Sequence, residues 1–269
     1  MVNGEPVVNI SGGADGGGAP LRITDNLVGT RAEEVIDRLG ALYWKKAYGG
    51  QDAFTCLIRT ILSQNTSDVA SQPAFDNLID RYGNTKGLVE SLADATVTTL
   101  AETIQSAGLY NQKAATIIEI ATTIRADFGE MCTFNEFVES AEPDEVRTYL
   151  LGLKGVGPKT ADCVLLFAGG RSGIFPVDTH VHRIYRRLGI ATPDADHETV
   201  RQVLEAQVPG EKCGFGHTTS IQFGREYCSA RRPICIDDID ACPLADVCDR
   251  VGVDFEKDTV IDPKRTLES

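Results

Sequence analysis

The stretch that most restricts the fold runs from residue 150 to 168, Leu-Leu-Gly-Leu-Lys-Gly-Val-Gly-Pro-Lys-Thr-Ala-Asp-Cys-Val-Leu-Leu-Phe-Ala. Val146, Tyr149, Leu150 and Leu153 before the break, and Ala161, Val164, Leu165 and Ala168 after it, recur at helical spacing. One helix therefore ends near Gly152 and a second opens at Pro158, where proline suits a first turn because its missing N–H would have no helical partner. Gly155 and Gly157 allow tight or left-handed backbone and bring bare N–H groups close to another surface. At a helix N-terminus such groups make a place for a phosphate, although a Gly-rich turn between two core helices is the plainer reading.

The same period recurs along the chain: Ala32, Ile36, Leu39 and Tyr43; Phe54, Leu57, Ile58 and Ile61; Ala114, Ile117, Ile118 and Ala121. Breaks fall at Gly49-Gly50 and at Gly108, Thr30 and Glu33 have the spacing of a capping box, and no two-residue alternation is present. The expected fold is all-α. Residues 1–24, rich in Gly and with few side chains to bury, read as a disordered tail. The 269 residues lack apolar runs of membrane-spanning length and a basic, apolar leader pattern, so membrane and secretory classes are set aside.

A net charge of −13 argues at first against a polyanionic partner. Between residues 150 and 190, however, Lys154, Lys159, Arg171, Arg183, Arg186 and Arg187 face only Asp162 and Asp178. A basic strip on an acidic body is compatible with nucleic-acid binding. Lys159 falls in the first turn of the second helix, where the helix dipole and any burial disfavour its ammonium form, and a neutral lysine is a nucleophile. Nineteen residues on, Val177-Asp178-Thr179-His180 offers a carboxylate that suits a helix N-cap and is also free to do chemistry.

Four of the eight cysteines, Cys228, Cys235, Cys242 and Cys248, cluster with gaps of six, six and five residues. That is a metal-site pattern, and four thiolates suit either tetrahedral zinc or a [4Fe–4S] cluster. Cys56, Cys132 and Cys163 fall on or near apolar helical faces and are expected to be buried thiols.

Taken together, Ile61-Leu62-Ser63-Gln64-Asn65-Thr66-Ser67-Asp68, Gly108-Leu109-Tyr110-Asn111-Gln112-Lys113-Ala114, the hairpin with Lys159, Val177-Asp178-Thr179-His180 and the cysteine cluster resemble the endonuclease III family of DNA glycosylase/AP lyases over roughly residues 30–250. The resemblance implies a two-lobed helix-hairpin-helix glycosylase fold. Residues 25–50 with 173–250 would form the cluster-bearing lobe, residues 51–172 the lobe with the hairpin, and 251–269 a loose tail. Lys159 would attack the sugar C1′ carbon of a flipped nucleotide to give a Schiff base, with Asp178 stabilising charge at C1′. Related adenine-removing enzymes lack a lysine at this position.

By the same resemblance Leu109 is an apolar wedge, Gln64 or Asn65 fills the gap left by the flipped base, and Gly155, Val156 and Gly157 grip phosphate. The cofactor is a [4Fe–4S] cluster on Cys228, Cys235, Cys242 and Cys248, ordering a loop whose Arg231 and Arg232 meet DNA. The six-residue gap between Cys235 and Cys242 departs from the family's two. Leu109 could alternatively be a core leucine. The expected partner is double-stranded DNA carrying damaged bases, probed by a monomeric, cytoplasmic prokaryotic protein with oxidised pyrimidines as substrate. Glycosylases for mispaired, deaminated or methylated bases, a non-catalytic DNA-binding module and a zinc adaptor are the alternatives.

Overall fold

The computed structural model describes residues 30–43, 52–83, 87–129 and 131–261, and the glycine-rich tail expected at 1–24 lies outside them. Twelve α-helices are present among the described residues: α1 (Arg31–Leu42), α2 (Ala53–Ser63), α3 (Asp68–Tyr82), α4 (Leu88–Ala93), α5 (Val97–Thr103), α6 (Tyr110–Phe128), α7 (Met131–Ser140), α8 (Pro143–Gly152), α9 (Pro158–Phe167), α10 (Thr179–Arg187), α11 (His197–Gln207) and α12 (Gly210–Glu226). Short polar side chains start many of them. Asp52 accepts from the Thr55 amide at 2.8 Å, Asp196 from Thr199 at 2.8 Å and Thr30 from Glu33 at 3.1 Å. The capping box is only half made, because the Glu33 carboxylate meets Lys212 Nζ at 2.7 Å. α1 also stops earlier than Gly49-Gly50, with Tyr43 already extended.

Two apolar cores form. One is built from α2 to α9 around Phe54, Leu57, Ile58, Ile117, Phe134 and Leu150, all fully buried. The other joins α1 to α10, α11 and α12 around Ile36, Leu39, Phe175, Tyr185 and Leu204. The chain thus leaves one lobe after α9 and returns to pack on the N-terminal helix. No helix among the described residues is long and apolar enough to cross a membrane.

A chain of ion pairs joins the lobes. Arg147 on α8 donates through Nε to the buried carboxylate of Asp162 on α9 at 2.7 Å and through Nη2 to Glu198 on α11 at 2.9 Å. Arg201 pairs with both Glu198 and Glu205, and Glu205 accepts the backbone N–H of Phe175 at 2.9 Å. The helices around the hairpin are in this way tied to the segment that enters α10. Burial raises the Asp162 carboxyl pKa, and the guanidinium of Arg147 opposes the rise.

The segment after Cys248, expected to be loose, is folded as far as Ile261. Strands β1 (Val253–Asp254) and β2 (Thr259–Val260) pair antiparallel, and the Val251 amide donates to the Arg187 carbonyl at 3.0 Å. Two residues per strand are too few for alternation to register in the sequence.

Removing one partner from a buried ion pair leaves an uncompensated charge. Arg147→Ala is therefore expected to lower unfolding free energy by about 3–5 kcal/mol in urea titrations, and Arg147→Met combined with Asp162→Leu by less than the single change.

Candidate active site

Between the lobes lies a cleft of about 900 Å³ whose walls include Ser63, Gln64 and Asn65 from the first lobe, Lys159 and Thr160 from α9, and Asp178, Thr179 and His180 from the start of α10. Lys159 and Asp178, nineteen residues apart, are brought onto one surface. Each is held locally. Lys159 stands in the first turn of α9, which opens at Pro158 after the hairpin. Asp178 caps α10 by accepting the amides of His180 and Val181, both at 2.8 Å and both on Oδ1. The cap uses Oδ1 alone and leaves Oδ2 outside it.

The hairpin requires its first glycine twice over. Gly155 has φ +78°, and a Cβ there would stand 2.7 Å from Cγ2 of Thr116 on α6. Gln64 braces the turn, with Nε2 donating to the Gly155 carbonyl and to Thr160 Oγ1, both at 3.1 Å. Its neighbour Asn65 is exposed and left-handed, at φ 51°. The two residues are thereby separated in role: Gln64 is engaged with the hairpin, and Asn65 projects at the surface.

Leu109 is 59% exposed and also left-handed, at φ 47°, which rules out a core leucine. Its loop is bound to the Gln64–Thr66 loop by the buried ammonium of Lys113, which donates to the carbonyls of Leu62 (2.7 Å) and Ala107 (2.9 Å) and to Thr66 Oγ1 (2.7 Å). Burial lowers the pKa of that lysine. One cation inside the lobe sets the spacing of both projecting residues.

The basic strip expected between residues 150 and 190 is not a free surface. Lys154 pairs with Glu119, Arg171 donates to the Ala141 carbonyl, and Arg186 to that of Pro193. Arg183 donates to the carbonyls of Cys228 and Gly224, and Arg187 to those of Ser229 and Ala230 and to Cys228 Sγ at 3.3 Å. Charge was legible in the sequence, but the polypeptide carbonyls that absorb it were not.

Arg183 Nη2 also lies 3.0 Å from His180 Nδ1, where the guanidinium charge disfavours an imidazolium. Burial lowers its pKa in the same sense. No motif or spacing points to His217, which is buried behind the cleft with Nδ1 donating to the Pro176 carbonyl at 2.8 Å. Burial first, then the charge of Lys159, push its pKa down to about 4.

The four clustered cysteines line one small cavity against α10 and α12. Burial raises the thiol pKa values of Cys235 and Cys242, and that of Cys248 to about 11. Among the described residues no three His, Cys, Asp or Glu side chains gather closely enough to share a single metal ion. The long gap folds outward as an exposed turn, with the Cys242 amide donating to Ile239 O at 3.1 Å. Arg232 is taken up by Asp237 of that turn, whereas Arg231 is exposed. Cys56, Cys163 and Cys213 are buried, but Cys132 is exposed, contrary to expectation.

Residues 58–209 match the HhH-GPD superfamily of base excision DNA repair proteins. Endonuclease III of Thermotoga maritima is 33% identical over 221 residues, 81% of this chain and 90% of the relative. That of Sulfolobus acidocaldarius is 31% identical over 200 residues, 74% and 82% respectively. This chain belongs to the endonuclease III family. Among solved structures, a non-covalent endonuclease III–DNA complex superposes with a TM-score of 0.66 at 25% identity, covering 88% of this chain and 96% of the other. A thermostable thymine-DNA glycosylase, at 21% identity and a TM-score of 0.66, shares the fold. The family is one of bifunctional DNA glycosylase/AP lyases.

A left-handed Ala costs about 1–2 kcal/mol before any clash. Gly155→Ala is expected to destabilise the protein by more than that in thermal unfolding, and Thr116→Ser in the same chain to restore the part due to the methyl contact.

Proposed function

We propose that the enzyme excises damaged bases, oxidised pyrimidines foremost, by Lys159 attack and then nicks the strand by β-elimination. The observation that carries this reading is the convergence of Lys159 and Asp178 on one cleft from α9 and the α10 cap. The lysine Nζ forms a bond to C1′ as the C1′–N bond to the base breaks, and loss of the ring oxygen bond leaves an iminium. Positive charge there acidifies the C2′ proton, and its removal expels the 3′ phosphate. Asp178, with Oδ2 outside the cap, stabilises positive charge at C1′ and takes part in moving the lysine proton. A water nucleophile would stop at the abasic site.

Extruding a nucleotide costs a few kcal/mol, roughly, and groups that fill the vacated stack offset it. Asn65 and Leu109 take that role in this reading: both are exposed and left-handed, and Lys113 fixes the spacing of their loops. Gln64 is the brace of the hairpin. The amides of Gly155, Val156 and Gly157 meet phosphate, as does Arg231, while Arg232 must leave Asp237 to do so.

The four cysteines fit a [4Fe–4S] cluster by donor chemistry and by arrangement. All four line one small cavity against α10 and α12, and four thiolates suit such a cluster. When bound, the cluster supplies a structural tie between the loop and α10, and no chemical step passes through it.

On abasic duplex with borohydride, wild-type protein is expected to become covalently linked to DNA and Lys159→Ala not. Asp178→Asn should bind the duplex while turnover falls steeply; unchanged turnover would reduce the carboxylate to a helix cap. Parallel duplexes carrying an oxidised pyrimidine, uracil or a G·T mismatch assign the substrate class. Purified protein should be yellow-brown with iron and inorganic sulfide in equal amounts, and Cys242→Ser should lose both; a colourless zinc protein contradicts the cluster.

A further inference from the structure

His217 is placed where both halves of the reaction centre can be disturbed through one side chain. It lies on α12, 2% exposed, with Thr218 and Thr219 beside it on the cleft wall. Its Nδ1–H is donated to the carbonyl of Pro176, two residues before Asp178. Its ring packs 6.2 Å from that of Phe167, the last residue of the helix whose first turn carries Lys159. The approach of α12 to this segment depends on the preceding residue having no side chain. A Cβ on Gly216 would stand 2.9 Å from the Phe175 ring and 2.8 Å from Ile36.

A backbone carbonyl only accepts, so the bond to Pro176 fixes the proton on Nδ1 and the orientation of the ring. Desolvation and the nearby lysine keep the imidazole uncharged at neutral pH, so it adds no further positive charge beside Lys159 and Arg225.

We infer that His217 is a positioning residue for the Lys159 and Asp178 pair, holding the Pro176–Asp178 segment against α12 and against the end of α9. It touches no substrate atom. Its effect runs through the carboxylate that the segment delivers, and misplacement of a catalytic group by about 1 Å is enough to cost on the order of 100-fold in rate. The inference rests on the lysine mechanism above.

The test uses three variants of the full chain, assayed for nicking of abasic duplex below all their unfolding temperatures. Asn carries an amide N–H where Nδ1–H stands; Gln carries it where Nε2 stands; Leu carries none. His217→Asn is expected to keep kcat within a few-fold of wild type. His217→Gln and His217→Leu should lose about 10- to 100-fold in kcat with KM unchanged. Thermal stabilities of all three are measured alongside, because a purely structural histidine would move stability in each without sorting kcat by donor position.

Equal kcat in the folded Asn and Gln variants, or a loss confined to KM, overturns the inference. Borohydride trapping of the wild type in the same assay separates the two levels. An untrapped wild type sinks the lyase reading and this inference together, whereas a trapped wild type with kcat indifferent to position 217 sinks the inference alone.

Discussion

The arrangement depends on the line of charges from Arg147 through Asp162, Glu198 and Arg201 to Glu205. Two separate apolar cores give no reason for the lobes to hold one relative pose, because hydrophobic burial is non-directional. The ion pairs supply direction. Asp162 lies three residues after Lys159 on α9, and Glu205 receives the amide of Phe175, three residues before Asp178. The same network therefore sets Lys159 and Asp178 relative to each other, although none of its members lines the cleft.

Much of the fold was legible in periodicity. Phe54, Leu57, Ile58 and Ile61 face inward as a helical stripe, and α8 ends at Gly152 with α9 opening at Pro158, where glycine and proline said they would. Periodicity reports one element at a time and says nothing of which elements meet, so Lys113 read as part of a motif block and not as the clasp of two loops. His217 was invisible for the same reason. A lone histidine in a Gly-rich helix has no spacing partner, and its partner is a main-chain oxygen.

Charge counting erred in an instructive way. Arg183, Arg186 and Arg187 are partly or largely buried, and their guanidinium groups satisfy main-chain carbonyls, those of Arg183 and Arg187 at the cysteine loop and that of Arg186 at Pro193. Planar, multiply donating arginine suits that task better than lysine. The chain's preference for arginine, 17 against 9 lysines, is in part architectural. The acidic turn between Cys235 and Cys242 then engages Arg232 by a solvent-exposed pair, a contact weak enough for another anion to displace.

α10 begins with the carboxylate of Asp178 and ends with the guanidinium of Arg187, which grasps the cysteine loop. Nine helical residues make a strut of about 14 Å, too short and too well bonded to flex. Whatever disturbs its far end is thus transmitted as a rotation of the near one. A disturbance of the cysteine loop is in this way carried to the residue that opens α10.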